Sequence, residues 1–154
     1  MKKIILFVAL PLPILIFFFL RFFGRNEFDV RVYWAEGVNV AGCKPHPAPY
    51  TLPDSALNAW GWKGDKATLI VLNENNGVKD NLARIADLFE KDDYATLKVL
   101  DAPYEVRTCM LMAGDSSRVI LVDDQKRIRG YYTPIRPKET DRLEVELKIL
   151  LKQY

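Results

Sequence analysis

The sequence has little of the chemistry on which most catalytic and metal sites depend. Its 154 residues include one histidine, His46, and two cysteines, Cys43 and Cys109. Histidine is the usual proton shuttle near neutral pH, and histidine and cysteine are the usual ligands of soft metal ions. The usual proton shuttles, soft-metal ligands and thiol nucleophiles are therefore nearly absent from this chain.

An excess of charge of one sign is also missing. The chain has 22 Lys and Arg residues against 20 Asp and Glu residues, and no run of like charges stands out. Proteins that bind nucleic acid through its phosphates usually carry a basic stripe. We therefore expect no nucleic-acid partner.

The first 25 residues are apolar and differ from the rest. Residues 4–20 contain no charge, and residues 4–23 are just long enough to span a membrane if Arg21 snorkels. Residues 17–28, FFFLRFFGRNEF, where the apolar stretch ends, contain no small-x-small cleavage site. This favours an uncleaved signal anchor, a transmembrane helix, over a cleaved signal peptide. A hydrophobic hairpin or an interfacial helix is the remaining alternative.

The orientation of this anchor follows only weakly from charge. The basic residues that flank it are Lys2, Lys3, Arg21 and Arg25. The positive-inside rule is therefore nearly tied. Because one N-terminal anchor on a small domain usually exports it, we expect a single-pass protein with an extracytoplasmic domain, periplasmic in a bacterium. There a Cys43–Cys109 disulfide is permitted, and two unpaired thiols are the alternative.

Three stretches precede the regular part of the chain. Residues 28–34 alternate apolar and polar side chains, which predicts a half-buried strand. Residues 43–53 contain four prolines, which predicts an extended, stiff connection. Residues 54–66 are expected to be turn-rich. The predicted organisation is 1–25 anchor, 26–49 N-terminal strand and Pro-rich connection, and 50–154 globular domain.

The domain alternates strand and helix patterns. Residues 67–72 form a continuous apolar run, typical of a strand covered on both faces. Residues 95–100 predict a second strand, and residues 118–124 and 127–132 predict a hairpin. Three helices are predicted between and after these strands. The first follows the first strand, with Asp80 or Asn81 as its cap, and its apolar side is Leu82, Ile85, Ala86, Leu88 and Phe89. A short helix is expected within 101–115, and the last helix, 138–152, has the apolar side Leu143, Leu147, Leu150 and Leu151. The fold class is α/β, a mixed sheet with helices on both faces.

This order resembles the thioredoxin fold. VILVDDQKRIRGYY, followed by ETDRLEVELKILLKQ, resembles the closing hairpin and helix of the SCO/SenC family. YTLPD and LDAPYEVRT resemble the family's opening segment and Asp-Pro loop. The family consists of membrane-anchored, thioredoxin-like copper-handling proteins used in assembling cytochrome c oxidase. The resemblance covers residues 50–152 and is most specific at 120–132.

The ligands that this family uses are missing here. In the family, the first core strand leads to Cys-x-x-x-Cys, and a histidine precedes the third core strand. The matching stretches are NENNGVKD and GDSSR, which contain neither residue. The resemblance therefore carries no catalytic, cofactor-binding or metal residue onto this chain. It implies a non-enzymatic, cofactor-free domain with a degenerate site, which binds or scaffolds a protein partner.

One alternative uses the residues that remain. Cys43 and His46 have a C-x-x-H spacing, and Cys109 could complete a cuprous site. A divergent copper or thiol-redox protein would use these three residues. A single reactive thiol at Cys43 and plain incidental cysteines are the other interpretations.

Two further groups of residues invite a binding role. Residues 73–77, NENNG, could form a recognition loop, but a connecting turn is favoured. Trp34, Trp60 and Trp62 could form a binding face, but core packing or contact with the membrane surface is favoured.

The hairpin carries several charges. Asp123 and Asp124 are expected to begin its turn rather than to act as paired acids, because adjacent strand residues point to opposite faces. Lys126, Arg127 and Arg129 are expected to form a solvated hairpin edge. A contact with anionic lipid is the alternative.

Overall fold

The protein has a four-stranded mixed sheet. The computed structural model describes residue 12 and residues 15–19, 29–90 and 93–152. The strands are β1 Ala67–Val71, β2 Ala95–Lys98, β3 Val119–Asp123 and β4 Ile128–Tyr132, in the order β2-β1-β3-β4. β1 runs parallel to β2 and antiparallel to β3, and β3 and β4 form an antiparallel hairpin. The predicted mixed α/β sheet is confirmed.

Helical segments cover both faces of this sheet. They are α1 Asp54–Ala59, α2 Asn76–Ala86, a π-helical turn Glu105–Met110, and α3 Pro137–Leu151. α2 and α3 pack on one side, here called the helical face, which buries Leu69 and Leu121. The N-terminal arm, residues 29–52, packs with α1 and the π-helical turn on the other side, the irregular face, which buries Ile70 and Ile120.

The central strands are buried on both sides because their sequences are largely apolar, with Thr68 and Asp123 as the polar exceptions. All five residues of β1 and all five of β3 are buried. On β1, Leu69 and Val71 contact the helical-face cluster, whereas Ile70 and Leu72 contact the irregular-face cluster. Side chains alternate along a strand, so a continuous apolar run is what a sheet covered on both faces requires.

The strand predicted for residues 28–34 is wrong. Within the described part of this stretch, residues 29–32 have no regular structure and residues 33–36 form a turn. Trp34 has a left-handed φ of 59°, which extended backbone cannot accommodate. The backbone of Tyr33 still reaches β4, where its N–H donates to the carbonyl oxygen of Ile128 at 2.9 Å. The arm therefore runs along β4 without forming a fifth strand.

Two helix predictions also need correction. Residues 54–66 contain α1, and turns at Gly61 and Gly64, each with φ +85°, follow it. The cap predicted at Asp80 or Asn81 is wrong, because α2 begins at Asn76 and both residues lie inside it. Its cap is Asn75, whose Oδ1 accepts from the Val78 N–H at 2.9 Å. Leu88 lies beyond the end of α2 and is exposed, whereas Ile85 and Phe89 are buried as predicted.

The β3–β4 hairpin is confirmed, but of its three basic residues Arg129 is buried, whereas Lys126 and Arg127 are partly exposed. Leu121 pairs with Gly130 and Val122 pairs with Ile128, so Arg129 is the extra residue of a β-bulge. The bulge turns the Arg129 guanidinium inward. Its side chain is 3% exposed and lies 3.0 Å from the Asp123 carboxylate, which is 4% exposed. Period-2 alternation could not reveal this inward turn.

The predicted anchor lies largely outside the described residues. Within its range the structure describes six residues, all helical and all exposed: Leu12, Leu15, Ile16, Phe17, Phe18 and Phe19. A search of the described residues finds no helix with the length and apolar character that crossing a bilayer requires.

Candidate functional site

The loop after β1 contains the NENNGVKD stretch, and its Glu74 and Asn75 side chains bind within the chain. The Glu74 carboxylate accepts from the Lys98 ammonium of β2 at 2.8 and 2.9 Å. Asn75 caps α2, and Asn81 Nδ2 donates to the Gly77 carbonyl oxygen at 2.8 Å. These contacts stabilise the start of a helix. The prediction of a connecting element rather than a recognition loop fits this geometry.

The loop before β3, which contains the GDSSR stretch, is also held internally. One Arg107 nitrogen, Nη2, donates to the carbonyl oxygens of Gly114, Asp115 and Ser117 at 2.8, 3.2 and 2.9 Å. A guanidinium is suited to this role because its several N–H groups have a fixed geometry. Arg107 therefore fixes the backbone of this loop.

The three candidate residues of the sequence analysis come together at one place on the irregular face. Cys43 of the N-terminal arm and Cys109 of the π-helical turn form a disulfide with a Cα–Cα distance of 5.4 Å. His46 Nε2 lies 2.8 Å from the carbonyl oxygen of Cys109. Since that carbonyl only accepts, Nε2 carries the proton in this hydrogen bond. The C-x-x-H spacing places Cys43 and His46 close together in the sequence. The fold brings Cys109 to them from 66 positions beyond Cys43.

Side chains cap three consecutive carbonyls at the end of the π-helical turn. His46 reaches Cys109, the Tyr50 hydroxyl donates to the Met110 oxygen at 2.6 Å, and the Tyr131 hydroxyl donates to the Leu111 oxygen at 2.8 Å. The last carbonyls of a helix have no partner within it, so outside donors are needed. Nothing in the spacing of the two tyrosines along the sequence marks them as caps.

Burial keeps both tyrosines protonated. It raises the pKa of Tyr50 to about 12 and raises the pKa of Tyr131 well above its usual range. Trp34 Nε1 donates to the Tyr131 hydroxyl at 2.8 Å, which fixes the phenol between a donor and an acceptor. Trp34, Trp60 and Trp62 pack against the irregular-face cluster, in agreement with the favoured core role.

A backbone bridge positions His46. Val38 and His46 pair in an isolated antiparallel bridge, with N–O distances of 3.1 and 2.9 Å. Gly37 has φ +82°, and a Cβ there would lie 2.7 Å from the His46 carbonyl oxygen. Only glycine permits this approach without strain. The bridge brings His46 back toward the π-helical turn.

The chemistry available at this cluster depends on its oxidation state. In the disulfide, neither Cys43 nor Cys109 has the thiolate that binds a soft metal or attacks a substrate. Two-electron reduction would yield two thiols beside an imidazole. Among the described residues, no group of three or more His, Cys, Asp or Glu side chains is arranged to hold a metal ion.

Comparisons with known protein families, curated proteins and solved structures find no match for this chain.

Proposed function

We propose that this chain is a membrane-anchored, extracytoplasmic protein whose thioredoxin-like domain binds or scaffolds a protein partner without redox or copper chemistry of its own. The resemblance to the SCO/SenC family implies a role in assembling a respiratory oxidase. The proposal treats the domain as a relative that keeps the fold and has lost the reactive site.

The order of elements supports the thioredoxin-like part of the proposal. α2 connects the parallel strands β1 and β2, the π-helical turn precedes β3, and the β3–β4 hairpin leads into α3. This β-α-β-α-β-β-α order is the one on which the resemblance rests.

The absence of a redox or copper site is proposed because polar side chains in the loop after β1 and near the loop before β3 form hydrogen bonds that hold the fold together. Glu74 and Asn75 bind Lys98 and the α2 backbone, and Arg107 binds the loop before β3. Side chains that are committed to internal partners in this way stabilise the fold. They offer no thiol, imidazole or other group suited to redox or soft-metal chemistry.

Two observations support the anchored, extracytoplasmic location. Six apolar side chains from Leu12 to Phe19 are exposed, and clustered exposed apolar surface is typical of membrane or protein contact. The disulfide between Cys43 and Cys109 suits an oxidising compartment, because cytoplasmic thiols are normally kept reduced.

A second function is favoured by the convergence of Cys43, Cys109 and His46. It is a copper or thiol-redox protein whose site lies at the N-terminal arm instead of the loop after β1. Reduction would be its first step, since a cuprous site needs thiolate ligands.

The two functions separate in an anaerobic cuprous-ion titration of the reduced, full-length chain. The Cys43→Ser/Cys109→Ser double variant is the reference. Under the proposed function, the wild type binds no more copper than this variant. Tight one-to-one binding that the double variant and His46→Gln both lose would replace the proposal with the copper function.

A further inference from the structure

A cavity of about 690 Å³ opens beside the β3–β4 turn and the end of α3. The functions proposed above do not use it. Its floor is ionic and its wall is apolar, which is unusual for a surface depression. The side chains that matter below are Asp29, Lys66, Asp123, Arg129, Leu150 and Lys152.

The floor is a fixed and nearly neutral network. Asp123 Oδ2 accepts from Arg127 Nε at 2.8 Å and from Arg129 Nη1 at 3.0 Å, and Asp123 Oδ1 accepts from the backbone N–H groups of Gln125 and Arg127. Arg129 Nη2 also contacts the Asp29 carboxylate. Asp123 and Arg129 are 4% and 3% exposed, so these contacts hold a buried ion pair at the floor of the cavity.

Positive charge is left over at the mouth. The lining contains four cationic and three carboxylate side chains, an excess of one positive charge. Lys66 and Lys152 are exposed and form no ion pair with any residue that the structure describes, and Asp124 is the corresponding unpaired acid. The paired floor contributes little net field, and the two lysines outweigh Asp124 and the partial negative charge at the C-terminal end of α3, so the mouth favours an anion.

The wall of the cavity is the last turn of α3. Ile149, Leu150 and Leu151 line it and are only half-buried. A simple inorganic anion gains nothing from such a wall. An amphiphile with an anionic head and an apolar body gains from both surfaces, because burial of apolar area is favourable.

Chain length places this cavity near the predicted membrane. The predicted apolar stretch ends at Phe23, and Asp29, six residues later, lines the cavity. Six residues span at most about 20 Å when fully extended. The mouth therefore lies within reach of the headgroup layer if residues 4–23 are inserted.

We propose that this cavity binds the phosphate headgroup of an anionic phospholipid, with Lys66 and Lys152 contacting the phosphate and the end of α3 contacting the glycerol and upper acyl carbons. The proposal rests on the membrane anchoring proposed above. It also revises the lipid-contact alternative for the hairpin, since Arg127 and Arg129 face Asp123 and leave the contact to the two lysines.

The test is a calorimetric titration that measures the affinity and stoichiometry of binding. A water-soluble short-chain phosphatidylglycerol is added to the full-length chain in neutral detergent. We expect one-to-one binding. Each lysine near a phosphate contributes about fivefold, so Lys66→Gln/Lys152→Gln should weaken binding about twenty-fivefold. The matched control is Lys79→Gln/Lys138→Gln, which removes the same charge from exposed positions outside the lining and should bind like wild type.

Three results would overturn the proposal. The first is that the lipid does not bind. The second is that the control variant loses as much lipid affinity as the test variant. The third is that inorganic phosphate binds as tightly as the lipid, which would make the cavity a free-anion site. Extraction of the chain from membranes with alkaline carbonate tests the anchor separately. A chain that is extracted but binds the lipid contradicts the anchoring alone, and a retained chain that ignores the lipid contradicts the cavity alone.

Discussion

The two faces of the sheet are covered by different kinds of structure. On the helical face, α2 and α3 bury Val78, Ile85, Leu143 and Leu147 against the sheet. On the irregular face, the cover consists largely of the N-terminal arm, a short helix and a π-helical turn. The first cover is regular and the second is not, although both bury a comparable apolar cluster.

The difference shows that irregular segments need hydrogen-bond donors from elsewhere in the chain for their backbone carbonyls. A helix satisfies most of its own backbone groups, so α2 and α3 need only an apolar stripe and a cap. The π-helical turn leaves the carbonyls of Cys109, Met110 and Leu111 without internal partners, and side chains from the arm and from β4 supply the donors. The Cys43–Cys109 disulfide adds a covalent link.

Removing the disulfide should have the largest effect, and it should act on the irregular face. The bond joins residues 66 positions apart, and the chain-entropy model assigns such a loop about 4 kcal/mol. We expect Cys43→Ser/Cys109→Ser to lose about that much free energy of unfolding in urea titration. Reduced wild type is the matched control and should lose a similar amount. A loss below about 1 kcal/mol would mean that hydrogen bonds and packing alone hold the arm.

On the helical face the largest effect should come from packing. Leu147 is fully buried, and Leu147→Ala should lower the free energy of unfolding by about 3 kcal/mol. Val145→Ala on the same helix is the control, because Val145 is exposed and its loss should change stability little. If both variants lost the same amount, α3 would not pack as described.

The capping hydrogen bonds of the irregular face should have a smaller effect. Tyr50→Phe leaves the Met110 carbonyl without its donor and should cost about 1.5 kcal/mol. Tyr104→Phe, at an exposed position, should be neutral in the same thermal or urea unfolding measurement. Equal stability of Tyr50→Phe and wild type would assign no net value to this cap.

The same tyrosine predicts a dependence on alkaline pH. Burial raises the pKa of folded Tyr50 to about 12, whereas an unfolded tyrosine ionises near its usual value of 10. Between these values the unfolded state loses its proton first, so the contribution is intact below pH 10 and is lost as pH rises toward 12. The free energy of unfolding should therefore fall less steeply over this range in Tyr50→Phe than in wild type. Parallel curves would contradict the assignment to Tyr50.

The smallest effect should come from the cap of α2. Asn75→Ala removes the acceptor for the Val78 N–H and should cost about 1 kcal/mol. Asn73→Ala, two positions earlier and exposed, is the control and should be neutral in the same urea titration. A neutral Asn75→Ala would show that the start of α2 is held by packing instead.

Local apolar patterns predicted the sheet and most helices. Residues 67–72, 118–124 and 138–152 carry patterns that fit only a buried strand or an amphipathic helix, and each corresponds to an element of the fold. The strand predicted for residues 28–34 does not form. Apolar and polar side chains alternate there, but Trp34 adopts a left-handed φ and the chain turns. Arg129 was misassigned because a bulge shifts the register by one residue.

The candidate site was partly predictable for a similar reason. The sequence named Cys43, His46 and Cys109 because these residue types are rare in the chain. It could not pair them, since the pairing depends on how the arm folds back over the sheet. Tyr50 and Tyr131 carry no local signal, and their roles follow from carbonyls that only the π-helical turn leaves open.

The disulfide also decides how the chain would carry a mechanical load. A pull between the N-terminus and the C-terminus passes from Cys43 directly to Cys109, 66 positions later, and bypasses the segment between them, which contains β1, α2 and β2. Oxidised, this segment adds nothing to the extended length of the stretched chain. Reduced, it would add about 220 Å. Half of the sheet is thus shielded from tension transmitted through a membrane anchor, for as long as one bond between two sulfur atoms stays closed.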